Sequence, residues 1–183
     1  MAARPGSEVP APPPRRTLGH VFTIVVGLAV VCALLASGPA SADGCDAVAA
    51  AQIKDKQIPT HTTFTTTMGG TTFTFESIAL GDKIYSPRKD GTWTFETRDN
   101  SDDKIRRTWA SETCRPDGSD MVGGEAADIV LNHKTSSLLG DTRFWISQTR
   151  GLILKVESAT SGSVLTSVSD YRDVQVPANA VAR

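Results

Sequence analysis

The chain has 183 residues and a formal charge of −1 at pH 7, with 19 Lys and Arg against 20 Asp and Glu. Without its first 42 residues the balance is 16 basic against 19 acidic, so no basic stripe is available to offset nucleic-acid phosphate. About 140 residues then remain, enough for one real core and too few for a second domain of ordinary size.

Residues Val21 to Ala36 (VFTIVVGLAVVCALLA) form an apolar run, with Arg15 and Arg16 before it and Ser37-Gly38-Pro39 and Ala40-Ser41-Ala42 after it. A basic start, an apolar centre, helix breakers and a small-x-small end are what a signal peptidase needs, and cleavage is expected after Ala42. A permanent anchor is the alternative reading, but the run falls short of the roughly 20 residues that span a bilayer. No stable membrane span is therefore expected once the leader is removed. Arg15-Arg16 with Leu18 partly resembles a twin-arginine signal, although Gly19 stands where a second apolar residue is usual. Asp43 and the missing Leu before Cys45 argue against a lipid-modified start. The leader, residues 1–42, implies export to the periplasm or the medium, and residues 43–183 form a single β-rich domain.

Cys32 departs with the leader, leaving Cys45 and Cys114 to pair in an oxidising compartment. Closing so long a loop removes roughly 4 kcal/mol of unfolded-state entropy on the loop model. The bond would tie a helix to the middle of a sheet. Residues Asp46 to Gln57 (DAVAAAQIKDKQ) contain neither Gly nor Pro and predict that helix, ended by Pro59.

After Pro59 the apolar pattern changes to period two. His61 to Met68 and Thr71 to Leu80 predict two strands joined by Gly69-Gly70, a hairpin signal, with Phe64 and Met68 on one side and Phe73 and Phe75 facing the same way. Lys83 to Ser86 and Thr92 to Thr97 follow, the latter with Trp93 and Phe95 on one face. Arg98 to Lys104 reads as a polar loop and Ile105 to Thr113 as a strand centred on Trp109. Beyond Gly123-Gly124, strands are predicted over Ala126 to His133, Arg143 to Ser147, Leu152 to Ser158 and Val164 to Val176, with Pro177 as the stop. One helix followed by eight to ten meandering strands gives an α+β fold: an N-terminal helix plus a strongly curved antiparallel β meander, a half-open barrel.

Chemistry-bearing patterns are sparse. Asp99, Ser101 and Asp103 have the spacing of a calcium loop, but Lys104 replaces its turn glycine and Ala110 its bidentate Glu. His61 and His133 belong to no metal-binding spacing, and neither a GxSxG nor an SxxK nucleophile motif occurs. No catalytic residue, metal or cofactor is assigned, and the protein reads as a non-enzyme. What stands out is the apolar set Phe64, Phe73, Phe75, Trp93, Phe95, Trp109, Trp145 and Leu154, more than one short helix can cover. The excess predicts a hydrophobic pocket for an apolar ligand. The plainer reading is that these side chains fill the core.

The string Cys114, Gly123-Gly124, Trp145-Ile146-Ser147, Gly151-Leu152, Lys155, Tyr171 and Val174 before Pro177 resembles small secreted bacterial proteins similar to the periplasmic lipoprotein carriers of the Lol type and their relatives among envelope stress sensors. Gly81-Asp82 and Gly91-x-Trp93 fit the pattern, which covers Asp46 to Pro177. The resemblance implies a half-open antiparallel barrel closed by helices, with an apolar interior that accepts acyl chains. A dedicated carrier has additional lid helices, and only one helix is legible here. The functions expected are a periplasmic binding protein for a lipid, acyl chain or lipidated protein, or else an envelope interaction module with a filled barrel and a protein partner. Intact-mass measurement of the exported protein should give Asp43 as the first residue; a mass that includes the apolar run would overturn the cleavage site.

Overall fold

The structure is a computed structural model and describes residues 44–133, 140–160 and 162–183. The leader and its cleavage point lie outside the described residues.

Helix α1 (Gly44–Asp55) begins and ends two residues earlier than its sequence predicts. Its buried positions, Cys45, Val48, Ala49, Ala51 and Ile53, include the i, i+3, i+4 and i+8 stripe of a helix lying on a core. The small residues in that stripe let its backbone approach the sheet closely. A Cβ at Gly44 would stand 3.1 Å from Val130 Cγ1 and 3.3 Å from Cys114 Cβ. Cys45 is bonded to Cys114, with their Cα atoms 5.1 Å apart.

The strands are β1 (Thr60–Met68), β2 (Thr71–Leu80), β3 (Lys83–Pro87), β4 (Trp93–Thr97), β5 (Cys114–Val122), β6 (Glu125–Asn132), β7 (Thr142–Ser147), β8 (Ile153–Thr160), β9 (Ser163–Asp170) and β10 (Val181–Ala182). They form one open sheet in the order β10-β4-β3-β2-β1-β9-β8-β7-β6-β5. Every pairing is antiparallel except β10 with β4. The two Gly-Gly links make tight hairpin turns because both residues sit at positive φ, 56° and 82° at Gly69-Gly70 and 59° and 85° at Gly123-Gly124.

Three segments differ from the sequence reading. Ile105 to Thr113 is not a strand, and Arg98 to Lys104 is not wholly a loop, because Asp102–Ala110 forms helix α2. Asp102 and Asp103 sit favourably at its positive end and Arg107 in its last turn, while Ile105 and Trp109, four apart, turn inward. Cys114–Val122, read as no element at all, is edge strand β5, whose register shifts between Pro116 and Ser119. The last long strand stops at Asp170 rather than Val176, and Asp173 beyond it takes φ 52°.

Register fixes which side chains share a face. On one face α1 packs mainly on α2 and strands β5 to β8. The core there joins α1 and Trp109 to Val130, Phe144, Ile146 and Ile153. Phe64, Phe73, Phe75, Met68 and Leu165 belong to this face, because Phe64 is paired through Ser167 and Val156 to Phe144. On the opposite face Ala127, Trp145 and Leu154 form a second cluster with Val122, Ile129 and Tyr171 beside it. Among the described residues no helix is long and apolar enough to cross a membrane.

The disulfide closes a sequence separation of 69 residues. Reducing it, or replacing both cysteines by Ser, should lower stability by about 2–4 kcal/mol in urea unfolding. An unchanged midpoint would mean that packing alone holds α1 in place.

Candidate functional site

The eight apolar residues singled out by the sequence do not line a single hollow. Phe64 and Phe75 are direct partners across β1 and β2, stacked at 4.8 Å with their rings 5° from parallel. Phe73 lies beside them, opposite Thr66. Trp109 is on the same side of the sheet but is used up in the helix–sheet core. Its ring meets Phe144 edge-on at 5.2 Å and its Nε1 donates to Gln52 Oε1 at 2.8 Å.

The other four are on the opposite face. Phe95 pairs with Tyr85, which pairs with Ile78, and an odd spacing separates Ile78 from Phe75 along β2, so Trp93 and Phe95 point away from the Phe64 group. Trp145 and Leu154 are buried in the second cluster, with the Lys155 ammonium 4.1 Å from the Trp145 ring centre and Trp145 Nε1 donating to Asp120 Oδ2 at 3.3 Å.

What the structure leaves open is the part of the helix-bearing face beyond the helices. Met68 is 57 % exposed, Phe73 53 % and Phe75 52 %, whereas Phe64 and Leu165 are half-buried between them. Large apolar side chains clustered on one face at this exposure form a contact surface rather than a core. Met68 and Leu165 were absent from the sequence's candidate set. The parity of Met68 with Phe64 pointed to it, whereas Leu165 joins only through the pairing of β9 with β1.

The opposite face is crossed by the chain after β9, which ends in β10 on β4. A cleft of about 260 Å³ lies between this segment and the sheet, lined by His61, Glu76, Ile78, Trp93 and Val174. His61 Nε2 and Glu76 Oε2 are 2.8 Å apart there. A second cleft, of about 300 Å³, is bounded by Val122, Glu125, Arg150, Leu154 and Tyr171.

At the end of the sheet beside this second cleft, several polar groups lock α1 to the strands. The Ile153 N–H donates to Asp55 Oδ1 at 3.3 Å, and the Tyr171 hydroxyl, also hydrogen-bonded with Asp55, donates to the Ile153 carbonyl at 2.6 Å. Lys54 Nζ donates to the Arg150 carbonyl at 2.5 Å. Arg150 in turn grips Glu125 with two bonds of 2.9 and 2.5 Å and stacks over Tyr171 at 5.3 Å. Burial pushes Asp55 up to about 6 against the pull of Tyr171, Ile153, Arg150 and Lys54. Burial and the neighbouring Asp55 charge also raise Tyr171. The hydrogen bond from Arg150, followed by that from Ser147, holds Glu125 down at about 2. The sequence offered no way to single out Asp55 among the other carboxylates, because its desolvation comes from chain segments about 100 residues away.

No sequence family and no curated protein matches the chain. Among solved structures it is similar to the lipoprotein LppX of Mycobacterium tuberculosis, with a TM-score of 0.51 at 10 % identity over 73 % of this chain and 98 % of that one. It is also similar to MucB in complex with MucA(peri), with a TM-score of 0.50 at 16 % identity over 76 % of this chain. The match spans 61 % of MucB, about three fifths of its length. These likenesses show the fold alone.

Because the Asp55 pKa is raised in the folded state, its contribution to stability is complete below the unfolded value of 3.8 and is lost as pH rises through about 6. Asp55→Asn removes that titration. Its stability relative to wild type should therefore improve by up to about 3 kcal/mol between about pH 4 and pH 8 in urea unfolding. A difference independent of pH would show that Asp55 does not titrate in this range.

Proposed function

We propose that the protein is a non-enzymatic binding protein of the periplasm or the medium, which takes up a lipid, an acyl chain or a lipidated protein on the uncovered part of its helix-bearing face. One observation carries this reading: Phe64, Met68, Phe73 and Phe75 form an apolar surface beside helices that leave it exposed. Stacked rings and a flexible thioether suit a ligand with no directional groups. Each acyl methylene removed from water contributes about 0.8 kcal/mol, so roughly ten of them against this surface correspond to micromolar affinity. The fold shared with the lipoprotein LppX supports the same reading.

The second reading is an interaction module of the envelope whose sheet is filled by its own side chains and which meets a protein partner. The filled core under α1 and α2 supports it, as does the fold shared with MucB, a protein crystallised with MucA(peri).

Delipidated protein titrated with a fluorescent fatty acid should bind it saturably at micromolar concentration. Joint replacement of Phe73 and Phe75 by Ser should weaken binding by about tenfold or more, or about 1.4 kcal/mol. Fluorescence that rises without saturating would overturn the apolar-ligand reading and leave the interaction module.

A further inference from the structure

The sheet protects its edges unequally. Edge strand β5 carries Pro116, Asp117 and Asp120 and a register shift, features that prevent another chain from pairing there. Strand β2 has neither a proline nor a register shift, and Glu76 is its one charged residue. Its ladder with β3 covers only Ile78–Leu80 against Lys83–Tyr85, while its ladder with β1 runs the whole length from Thr71 to Ala79. Among the described residues Thr71 to Ser77 are therefore paired on the β1 side only. The sequence from Thr62 to Phe75 contains no charged residue and no proline, and it is rich in β-branched and aromatic side chains. From Thr71 to Phe75 the free edge is uncharged, Glu76 being its one charge, and such an edge is a template for strand addition.

The geometry at the end of this edge indicates what would add to it. Pro87, two residues past Tyr85, the last β3 partner of β2, has no N–H to donate. Where β3 leaves β2 an open notch of about 500 Å³ remains, lined by Thr74, Glu76, Ser86, Pro87, Arg88 and Lys89. Arg88 and Lys89 are exposed on the β3–β4 turn, and among the described residues neither forms a salt bridge. The hydrogen bonds of the nearby carboxylates go to other groups: Glu76 lies against His61 at 2.8 Å, and Asp90, although it feels the Arg88 charge, accepts from Thr92 N and Oγ1 at 3.0 and 2.7 Å.

We propose that the outer edge of β2 from Thr71 to Ser77 binds an extended segment of a protein partner as one more strand. Apolar side chains of the segment sit beside Phe73 and Phe75, and its acidic end lies in the notch against Arg88 and Lys89. Backbone hydrogen bonds along the edge give affinity, alternate side chains give selectivity, and the two cations fix direction. This proposal shares Phe73 and Phe75 with the apolar-ligand reading, but its main-chain pairing along the edge and the charges on the β3–β4 turn are separate from that reading and are tested separately.

The probe is a peptide of about seven residues, matching the free edge, that alternates valine with threonine and ends in aspartate, together with its fully N-methylated counterpart. The unmethylated peptide should slow amide hydrogen exchange within Thr71–Ser77 by about tenfold or more at saturation, and the methylated one should not. The double variant Arg88→Glu, Lys89→Glu alters only exposed turn residues and should lower the peptide's affinity by about tenfold or more at low salt. Exchange unaffected by the peptide, or affinity unaffected by the double charge reversal, would overturn the proposal. So would sedimentation showing a dimer whose Thr71–Ser77 amides are already protected without peptide, because the edge would then belong to a second copy of this chain.

Discussion

The structure turns on a mismatch of widths. Ten strands spaced about 4.8 Å apart make a sheet roughly 45 Å across, and two helices of about 10 Å diameter can shield less than half of one face. Both helices are fixed at the same side of the sheet. The Cys45–Cys114 bond and the absence of a side chain at Gly44 press the start of α1 onto β5 and β6, and α2 lies against α1 with Trp109 between them and Phe144. Among the described residues no helix covers the apolar side chains of β1 and β2 on that face, and the exposed Phe73, Phe75 and Met68 follow from this.

The uncovered half holds together because its strands do not depend on a core. On the face opposite Phe64 the β1–β2 ladder places threonine against threonine, with Thr67 Oγ1 and Thr72 Oγ1 3.1 Å apart and Thr65 beside both Thr74 and Thr166. β-branched polar pairs stabilise a ladder while facing water. A hairpin built this way can keep an apolar surface on its other face and an unpaired edge at its side, which a strand stabilised only by burial could not do.

Much of this was legible in sequence, but in local pieces. Period-two alternation located most strands, and Gly-Gly pairs located two hairpins, because side-chain alternation and positive φ are properties of a few consecutive residues. Helix α2 also left local signs, Ser101 before Asp102-Asp103 and Ile105 four residues from Trp109, but the segment Ile105 to Thr113, centred on Trp109 and carrying β-branched Ile105, Thr108 and Thr113, read as a strand. Strand β5 was hidden because Pro116, Asp117 and Gly118 resemble a loop, and an edge strand tolerates them. The grouping of the eight apolar residues was beyond reach for a different reason. Parity assigns faces within one strand, whereas the faces of different strands are related through register. Here the odd separation of Phe75 and Ile78 along β2, and the irregularity between Trp145 and Ile146 against β8, set Trp93, Phe95, Trp145 and Leu154 against the Phe64 group.

The same asymmetry separates a fixed half of the molecule from an available one. Around β5 to β8 the disulfide, the Asp55–Tyr171–Ile153 contacts, the Arg150–Glu125 grip and the Lys54–Arg150 bond all tie α1 and the strand ends together. The β1–β4 half is held by strand pairing, and its far edge is closed only by the two residues of β10 on β4. Local opening is least costly where buried apolar contacts are fewest, and that is the half carrying the exposed phenylalanines, the free edge of β2 and the charged turn. A surface that must admit a ligand or a partner gains from being on that half, because the locked half keeps the fold intact while the other adjusts.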